Sequence, residues 1–235
     1  MNFSIVIPVY NEDQNLLILT QEILNSLRSN EYNFEIIFVN DCSTDNTGKI
    51  LKKIYSNNSK FIKIISNNKN QGQSISTING IKQSIYNTII TLDGDLQNDP
   101  KDISKLVSIY FKNKDVDLVG GIRFNRKDSL HKRISSKIAN NLRNLILNDD
   151  CIDTGCSLKI FNKKIFLLFP EFNGIHRFLP ALFKGYGKKT LFINVNHRAR
   201  IYGKSNYGTF IRLFAGIRDI FRVKKIIREF KKAND

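Results

Sequence analysis

The sequence has little of what would mark a secreted, membrane-spanning or disulfide-built protein. Its three cysteines, Cys42, Cys151 and Cys156, are an odd number. Their spacing makes neither a disulfide framework nor a zinc signature, so buried thiols in a reducing compartment are expected. No run of about 18 apolar residues exists, which argues against a spanning helix. Met1-Asn2-Phe3 leads straight into an apolar stretch, without the basic segment of a secretory leader. Internal repeats and low-complexity tracts are absent, and only 4 prolines occur. No Gly-x-Gly-x-x-Gly follows the first apolar stretch; Pro8-Val9-Tyr10-Asn11-Glu12 stands there instead, against an NAD-type site. What remains is an ordinary globular composition, 41% apolar and 25% charged over 235 residues, enough for one substantial core.

Positive charge is also missing from the first half. Residues 1–100 hold 8 Lys+Arg against 10 Asp+Glu, whereas 101–235 hold 29 against 11, so the whole net charge of +16 comes from the second half. Such asymmetry points to a polyanionic partner: nucleic acid, anionic lipid or a phosphorylated substrate. A merely solvated basic surface is the plain alternative.

The first half alternates strand and helix. Phe3–Pro8, Glu35–Val39, Phe61–Ile65 and Ile89–Leu92 read as largely apolar strands. Between them lie three helical patterns, the first with Leu16, Leu19, Ile23 and Leu27 at helical spacing and the third over about 74–86. Ser43 or Thr44 is expected to cap the second. Such βαβ alternation predicts an α/β protein with a mostly parallel sheet covered by helices on both faces, whose ligands bind at the carboxyl ends of the strands. Every polar cluster falls there: Tyr10/Glu12, Asp41/Asp45, Gly72/Gln73 and Asp93/Asp95. In an extended chain residues i and i+2 face the same way, so Asp93 and Asp95 can converge on one point. A Mg²⁺ or Mn²⁺ ion between them would relieve their repulsion; a solvated Asp-Gly-Asp turn is the competing reading.

Ile5–Glu12, Val39–Thr47, Asn70-Gln71-Gly72-Gln73 and Asp93-Gly94-Asp95-Leu96-Gln97 resemble, in order and spacing, the signature of family 2 glycosyltransferases of the GT-A fold. The resemblance implies that Pro8, Tyr10, Glu12 and Asp41 hold the base and ribose of a nucleotide-sugar. Gln73 and Gly94 join that donor site, and Asp93, Asp95 and Gln97 hold a Mg²⁺ or Mn²⁺ ion on the diphosphate. Asn40 departs from relatives that carry a second Asp there.

Further on, a helix is expected from Asp99-Pro100 to about 112, a strand over 116–121, a helix over 129–147, a helix over 176–183 and a strand over 190–195. Asp153-Thr154-Gly155-Cys156, His176-Arg177-Phe178 and Arg198-Ala199-Arg200…Gly203-Lys204-Ser205 resemble the branch that makes polyprenyl-phosphate sugars, such as the dolichyl-phosphate mannose synthases and their bacterial relatives. By that resemblance Arg123, Arg133, Ser136, Arg200 and Ser205 surround the acceptor phosphate, with Arg123 and Arg200 catalytic alongside Asp93 and Asp95. Bidentate guanidinium contacts suit phosphate oxygens. Asp153 is the candidate base if one is used. Where relatives often carry Lys after Ser205, this chain has Asn206, and Lys204 stands one residue before that serine.

Residues 1–206 are thus expected to form the catalytic domain and 207–235 a basic amphipathic tail. From Thr209 to Lys232, Phe210, Leu213, Phe214, Ile217, Ile220, Phe221, Ile227 and Phe230 recur at helical spacing beside eight Lys/Arg and two acids. That pattern suits an interfacial helix on an anionic membrane, interrupted at Gly216, or a helix packed on the sheet or a partner. The combined expectation is an inverting enzyme at the cytoplasmic face of a membrane. It would move a sugar from a UDP- or GDP-sugar to polyprenyl phosphate, with the tail sufficing for attachment or a small integral membrane protein completing it. No nucleic-acid partner is expected. A family 2 transferase acting on a hydroxyl of a glycan or lipid core is the alternative.

Overall fold

A computed structural model describes residues 1–28, 32–124, 140–202 and 209–234, the side chains of 209–215 and 234 excepted. Arg133, Ser136, Lys204, Ser205 and Asn206 lie outside the described residues, as does the helix expected over 129–147 up to residue 139.

Strands β1 (Asn2–Val9), β2 (Asn33–Asn40), β3 (Ile62–Ser66) and β4 (Thr88–Thr91) run parallel, linked by helices α1 (Asp13–Leu27), α2 (Thr47–Asn58) and α3 (Gln73–Lys82). Helix α4 (Asp102–Lys112) leads into β5 (Leu118–Phe124), and residues 140–147 form helix α5. Next come β6 (Lys159–Asn162), α6 (Lys163–Phe166), a 3₁₀ turn (Ile175–Arg177), α7 (Leu179–Gly185), β7 (Thr190–Asn196) and α8 (Thr209–Asn234). The seven strands form one sheet ordered β3-β2-β1-β4-β6-β5-β7. Only β6 is reversed, antiparallel to β4 and β5 on either side, while β5 and β7 are parallel. Its reversal brings its amino end, at Lys159, to the edge where the other strands have their carboxyl ends.

Alternation along β1 sets the two cores. Phe3, Ile5 and Ile7 point into one cluster with Leu16, Leu19, Phe38 and Leu106; Val6 points into the other with Ile37, Ile78 and Phe161. Gly80 brings α3 against the second face: a Cβ there would lie 2.4 Å from Val6 Cγ1 and 2.9 Å from Val39 Cγ2.

Of the three cysteines expected as buried thiols, Cys151 and Cys156 are buried but Cys42 is exposed. Two further expectations, both about helices, change. Helix α2 takes no cap from Ser43 or Thr44; it begins at Thr47, whose N–H donates to Asp45 Oδ1 (2.9 Å). The two hydroxyl residues bind instead to Asn11, which donates its N–H to Ser43 Oγ (3.0 Å) and accepts the Thr44 N–H at Oδ1 (2.8 Å), tying the β1 and β2 loops together. The second change is α8, which is one helix through Gly216 rather than two. Its apolar face from Ile220 onward is turned inward. Ile220 and Val223 are buried, Ile227 packs over Gly185, and Phe230 stacks on Tyr186 with centroids 3.6 Å apart. Among its described side chains, Ile217 and Phe221 are the large apolar ones left exposed.

Val223→Ala is therefore expected to cost the whole chain about 1–3 kcal/mol, the range for removing buried methyls from a packed core. Urea unfolding followed by circular dichroism checks this; an unchanged midpoint would mean that α8 is a separate appendage.

Candidate functional site

The carboxyl ends of β1, β2, β4, β5 and β7, with the amino end of β6, assemble the site. Leaving β4, the chain turns through Asp93-Gly94-Asp95. Gly94 lies against β1, where a Cβ would come 2.8 Å from Val9 Cγ1. Leu96, buried, holds a left-handed φ of 62°, sparsely populated for such a residue. This sharp turn lets the Gln97 N–H fold back onto Asp95 Oδ1 (3.1 Å). Residues 97 and 98 then meet the chain leaving β7, through an Asn98–His197 bridge and the Arg198 N–H on the Gln97 carbonyl (2.8 Å). That pairing brings Arg200 onto Asp95, while Arg198 is held by Glu22 and Asp99.

Asp95, buried, accepts from Arg200 Nη2 at Oδ2 (2.8 Å), and the same nitrogen reaches Glu12 Oε1 (3.3 Å). Burial, with the Asp95 and Asp93 charges adding to it, raises the Glu12 pKa; a bond from Asn15 and the Arg200 charge oppose the rise. Asp93 accepts Gln73 Nε2 at Oδ1 (2.7 Å). Burial and then the charge of Asp95 push its pKa up to about 6, against a hydrogen bond from Ser157 and the charges of Lys159 and Arg123.

Asp41, also buried, accepts from Asn67 Nδ2 (2.7 Å) and the Gln71 N–H (2.9 Å) at Oδ1, and from the Gly72 N–H (2.7 Å) at Oδ2. It shapes the loop that delivers Gln73 to Asp93. Three of about four acceptor positions of the carboxylate are used this way. Pro8 and Tyr10 line the β1 exit, half-buried.

Arg123, near the end of β5, is held by Asp153 through its own N–H (3.0 Å) and Nε (2.8 Å) on Oδ2 and Nη2 on Oδ1 (2.7 Å). Gly155 makes room: a Cβ there would lie 2.6 Å from Arg123 Nη2. The loop behind this clamp is fixed by buried Arg143. Its five N–H groups reach Asp149 (2.8 and 3.0 Å), Asn140 Oδ1 (2.5 Å), Thr154 Oγ1 (2.8 Å) and the Cys151 carbonyl.

The candidates therefore divide by position. Glu12, Gln73, Asp93, Gly94, Asp95 and Arg200 meet at one point. Arg123 and Asp153 form a clamp whose charge is felt at Asp93. Asp41 stands one shell behind. Sequence reasoning gave no role to Ser157, whose Oγ lies between Asp93 and Asn98 Oδ1 (2.6 Å), or to Arg198, quoted only within its motif, which spans Glu22 (2.7 Å) and Asp99 (2.8 Å). It also missed the buried Lys159, which donates to the Thr154 (3.5 Å) and Cys156 carbonyls. Lys159 carried a signal: a lysine inside Leu158-Lys159-Ile160-Phe161 is not buried without partners.

The donor set suits a divalent cation. A guanidinium already bridges Asp95 and Glu12, so the position attracts positive charge, and Asp93, whose pKa is raised first by burial and then by the Asp95 charge, lies beside it. Among the described residues no group of three or more His, Cys, Asp or Glu forms a metal cluster. Two carboxylates completed by phosphate oxygens are the Mg²⁺ and Mn²⁺ style. The Gln97 amide makes only a long contact, Nε2 to the Arg198 carbonyl (3.5 Å).

Comparison with known proteins names the class that this fold and site define. Residues 4–168 match the family model described as glycosyl transferase family 2, and the chain belongs to that family. It is 34% identical over 212 residues to the undecaprenyl-phosphate 4-deoxy-4-formamido-L-arabinose transferase of Pectobacterium atrosepticum, covering 90% of this chain and 64% of the relative. It is 35% identical over 231 residues to the dodecaprenyl-phosphate galacturonate synthase of Rhizobium johnstonii, covering 97% of this chain and 68% of that protein. Among solved structures, glucosyl-3-phosphoglycerate synthase from Mycobacterium tuberculosis, in complex with Mn²⁺, UDP and phosphoglyceric acid, superposes with a TM-score of 0.69 at 14% identity. That match covers 94% of this chain and 76% of the other. S. aureus TarS 1-349 in complex with UDP gives 0.60 at 17% identity, over 97% and 65%. The fold is GT-A.

An acid whose folded pKa is raised from 3.8 to about 6 binds more protons folded than unfolded between those values. Its folded form is then penalised as pH rises through that window, and the penalty persists above it. Asp93→Asn is expected to stabilise the metal-free protein by about 1–3 kcal/mol at pH 7.5, with the gain vanishing near pH 4. Urea titrations with chelator at the two pH values check it; a gain at pH 4 equal to that at 7.5 would contradict the assignment.

Proposed function

We propose that this protein moves a sugar from a nucleoside-diphosphate sugar to a polyprenyl phosphate, with inversion at the anomeric carbon. The observation that carries the reading is the meeting, at one sheet edge, of a carboxylate pair suited to a cation with two carboxylate-held guanidinium groups, Arg123 and Arg200. Such an arrangement can receive two phosphorylated molecules head to head. The names of the polyprenyl-phosphate relatives support the acceptor class.

In the donor half, Pro8, Tyr10 and Glu12, with Asp41 behind them, would hold the base and ribose of UDP or GDP. Asp93, Asp95 and Gln97 would hold Mg²⁺ or Mn²⁺, as Mn²⁺ and Mg²⁺ accompany UDP in the M. tuberculosis structures. When bound, such a cation would neutralise charge developing on the leaving diphosphate. Arg200 would then exchange its contacts with Asp95 and Glu12 for phosphate oxygens, and Arg123, aimed by Asp153, would meet the acceptor phosphate. The acceptor oxygen bonds to the anomeric carbon as the bond to the diphosphate breaks, and that electron pair leaves with the nucleotide. A phosphate monoester is already anionic near neutrality, its second pKa being about 6, so no strong base is required. Asp153 is accordingly assigned to aiming Arg123, since both its oxygens are occupied by that side chain.

The reaction would take place at the cytoplasmic face of a membrane. None of the described helices is long and apolar enough to cross one. Exposed Phe124, Leu145 and Ile152 beside β5 and α5, and Phe221 amid the basic residues of α8, offer an apolar and cationic contact with the lipid surface. A small integral membrane partner would serve the same end.

Incubation with a panel of UDP- and GDP-sugars, a short polyprenyl phosphate and Mn²⁺ or Mg²⁺, read by mass spectrometry, should give one sugar-phosphate-prenyl product. Asp93→Asn should lower kcat by at least about 10³-fold, and Arg123→Lys by about 10–100-fold as the paired contacts are lost. Full activity of Asp93→Asn, or faster transfer to a sugar hydroxyl than to any prenyl phosphate, would sink the reading.

A further inference from the structure

His176-Arg177-Phe178 has no part in the chemistry above, yet it sits behind it. The Ser74 hydroxyl, fully buried in the first turn of α3, is shared by two groups a hundred residues away in sequence. It accepts the Gly174 N–H (2.7 Å) and is hydrogen-bonded to His176 Nδ1 (2.6 Å). The next residue back is Gln73, whose amide holds Asp93 Oδ1. On its other side Gly72, at a φ of 83°, is pinned by Asp41. Gln73 is thus gripped from both flanks. The outer side of the His176 loop rests on α8: Asp219 Oδ2 lies where a Gly174 Cβ would come within 2.7 Å, and the Arg222 guanidinium stands 5.5 Å over the Phe172 ring.

We propose that Ser74 and His176 are positioning residues that hold Gln73 so that its amide fixes the Asp93 carboxylate for the donor's divalent cation. The inference rests on the glycosyl-transfer reading. A hydrogen-bonded amide one shell behind a ligating carboxylate sets which oxygen faces the cation, and losing such support typically weakens metal binding by about 10–100-fold. The physical reason that this latch is needed lies in Asp93 itself. Its neighbour Asp95 repels it, so without a donor on Oδ1 the side chain would turn away and present the wrong lone pairs.

The test measures Mn²⁺ binding by electron paramagnetic resonance in the presence of UDP and, separately, GDP. It uses wild type, Gln73→Ala, His176→Ala, His176→Asn and the double variant Q73A/H176A, with the Tm of each recorded. Asn is included because its amide reaches the position of Nδ1. The expected result is at least about a tenfold loss of Mn²⁺ affinity in both alanine variants. The double variant should be no worse than Gln73→Ala, since His176 acts through that residue, and Asn should recover most of the affinity. Wild-type affinity in His176→Ala, additive losses in the double variant, or no recovery in a fully folded His176→Asn would each overturn the latch while leaving the metal site standing. No Mn²⁺ binding by the wild type with either nucleotide would overturn both readings.

Discussion

The site is built on a charge imbalance that the fold must contain. Glu12, Asp93 and Asp95 come from two strand ends and meet over a partly buried edge of the sheet, where carboxylates repel and screening by water is reduced. Arg200 lies across Asp95 and Glu12, and Lys159 and Arg123 add positive charge near Asp93. Removing one partner of such an arrangement leaves an uncompensated buried charge. The polar geometry around it, from the strained Leu96 to the Arg198 clamp, keeps these opposed groups in register.

That view changes the meaning of the net charge. Arg123, Arg143, Arg198 and Arg200 are each paired with carboxylates, and Lys159 is buried among carbonyls, so part of the apparent basic surface is interior balance. Other basic groups do face solvent: on α8 Arg218, Lys224, Lys225, Arg228, Lys231 and Lys232 are exposed, and on α2 Lys49, Lys52 and Lys53 are.

The parallel half of the fold was legible because its physics is local. Each βα unit ends in a polar loop at the same sheet edge, so Tyr10, Asp41, Gln73 and Asp93 converge by topology before any distance is known. The rest depends on long-range pairing that no periodicity encodes. Reversed β6 is four residues long, too short to announce its direction, yet it decides that Lys159 and Ser157 reach the site. Arg143 sat among surface-like basic residues in the sequence, and only its five bonds reveal it as an interior tie. Helix α8 read first as a membrane-surface face and only second as a packed one, since Ile and Phe at helical spacing do not say what covers them. Thr44 had the side chain of a cap but was claimed by Asn11 from the neighbouring loop.

On the proposed reading, binding a donor would be an exchange rather than an addition: the carboxylates are partly neutralised already, so an incoming diphosphate with its cation would replace Arg200 on Asp95. Differential affinity of that kind is what lets a ligand reset an equilibrium between arrangements. Arg123 is held more firmly: Asp153 binds it through three bonds, Gly155 lets it pack close because a Cβ there would lie 2.6 Å from Nη2, and Arg143 fixes the loop beneath. On the proposed reading Arg200 would give up its contacts to the leaving diphosphate while Arg123 stays to aim the acceptor.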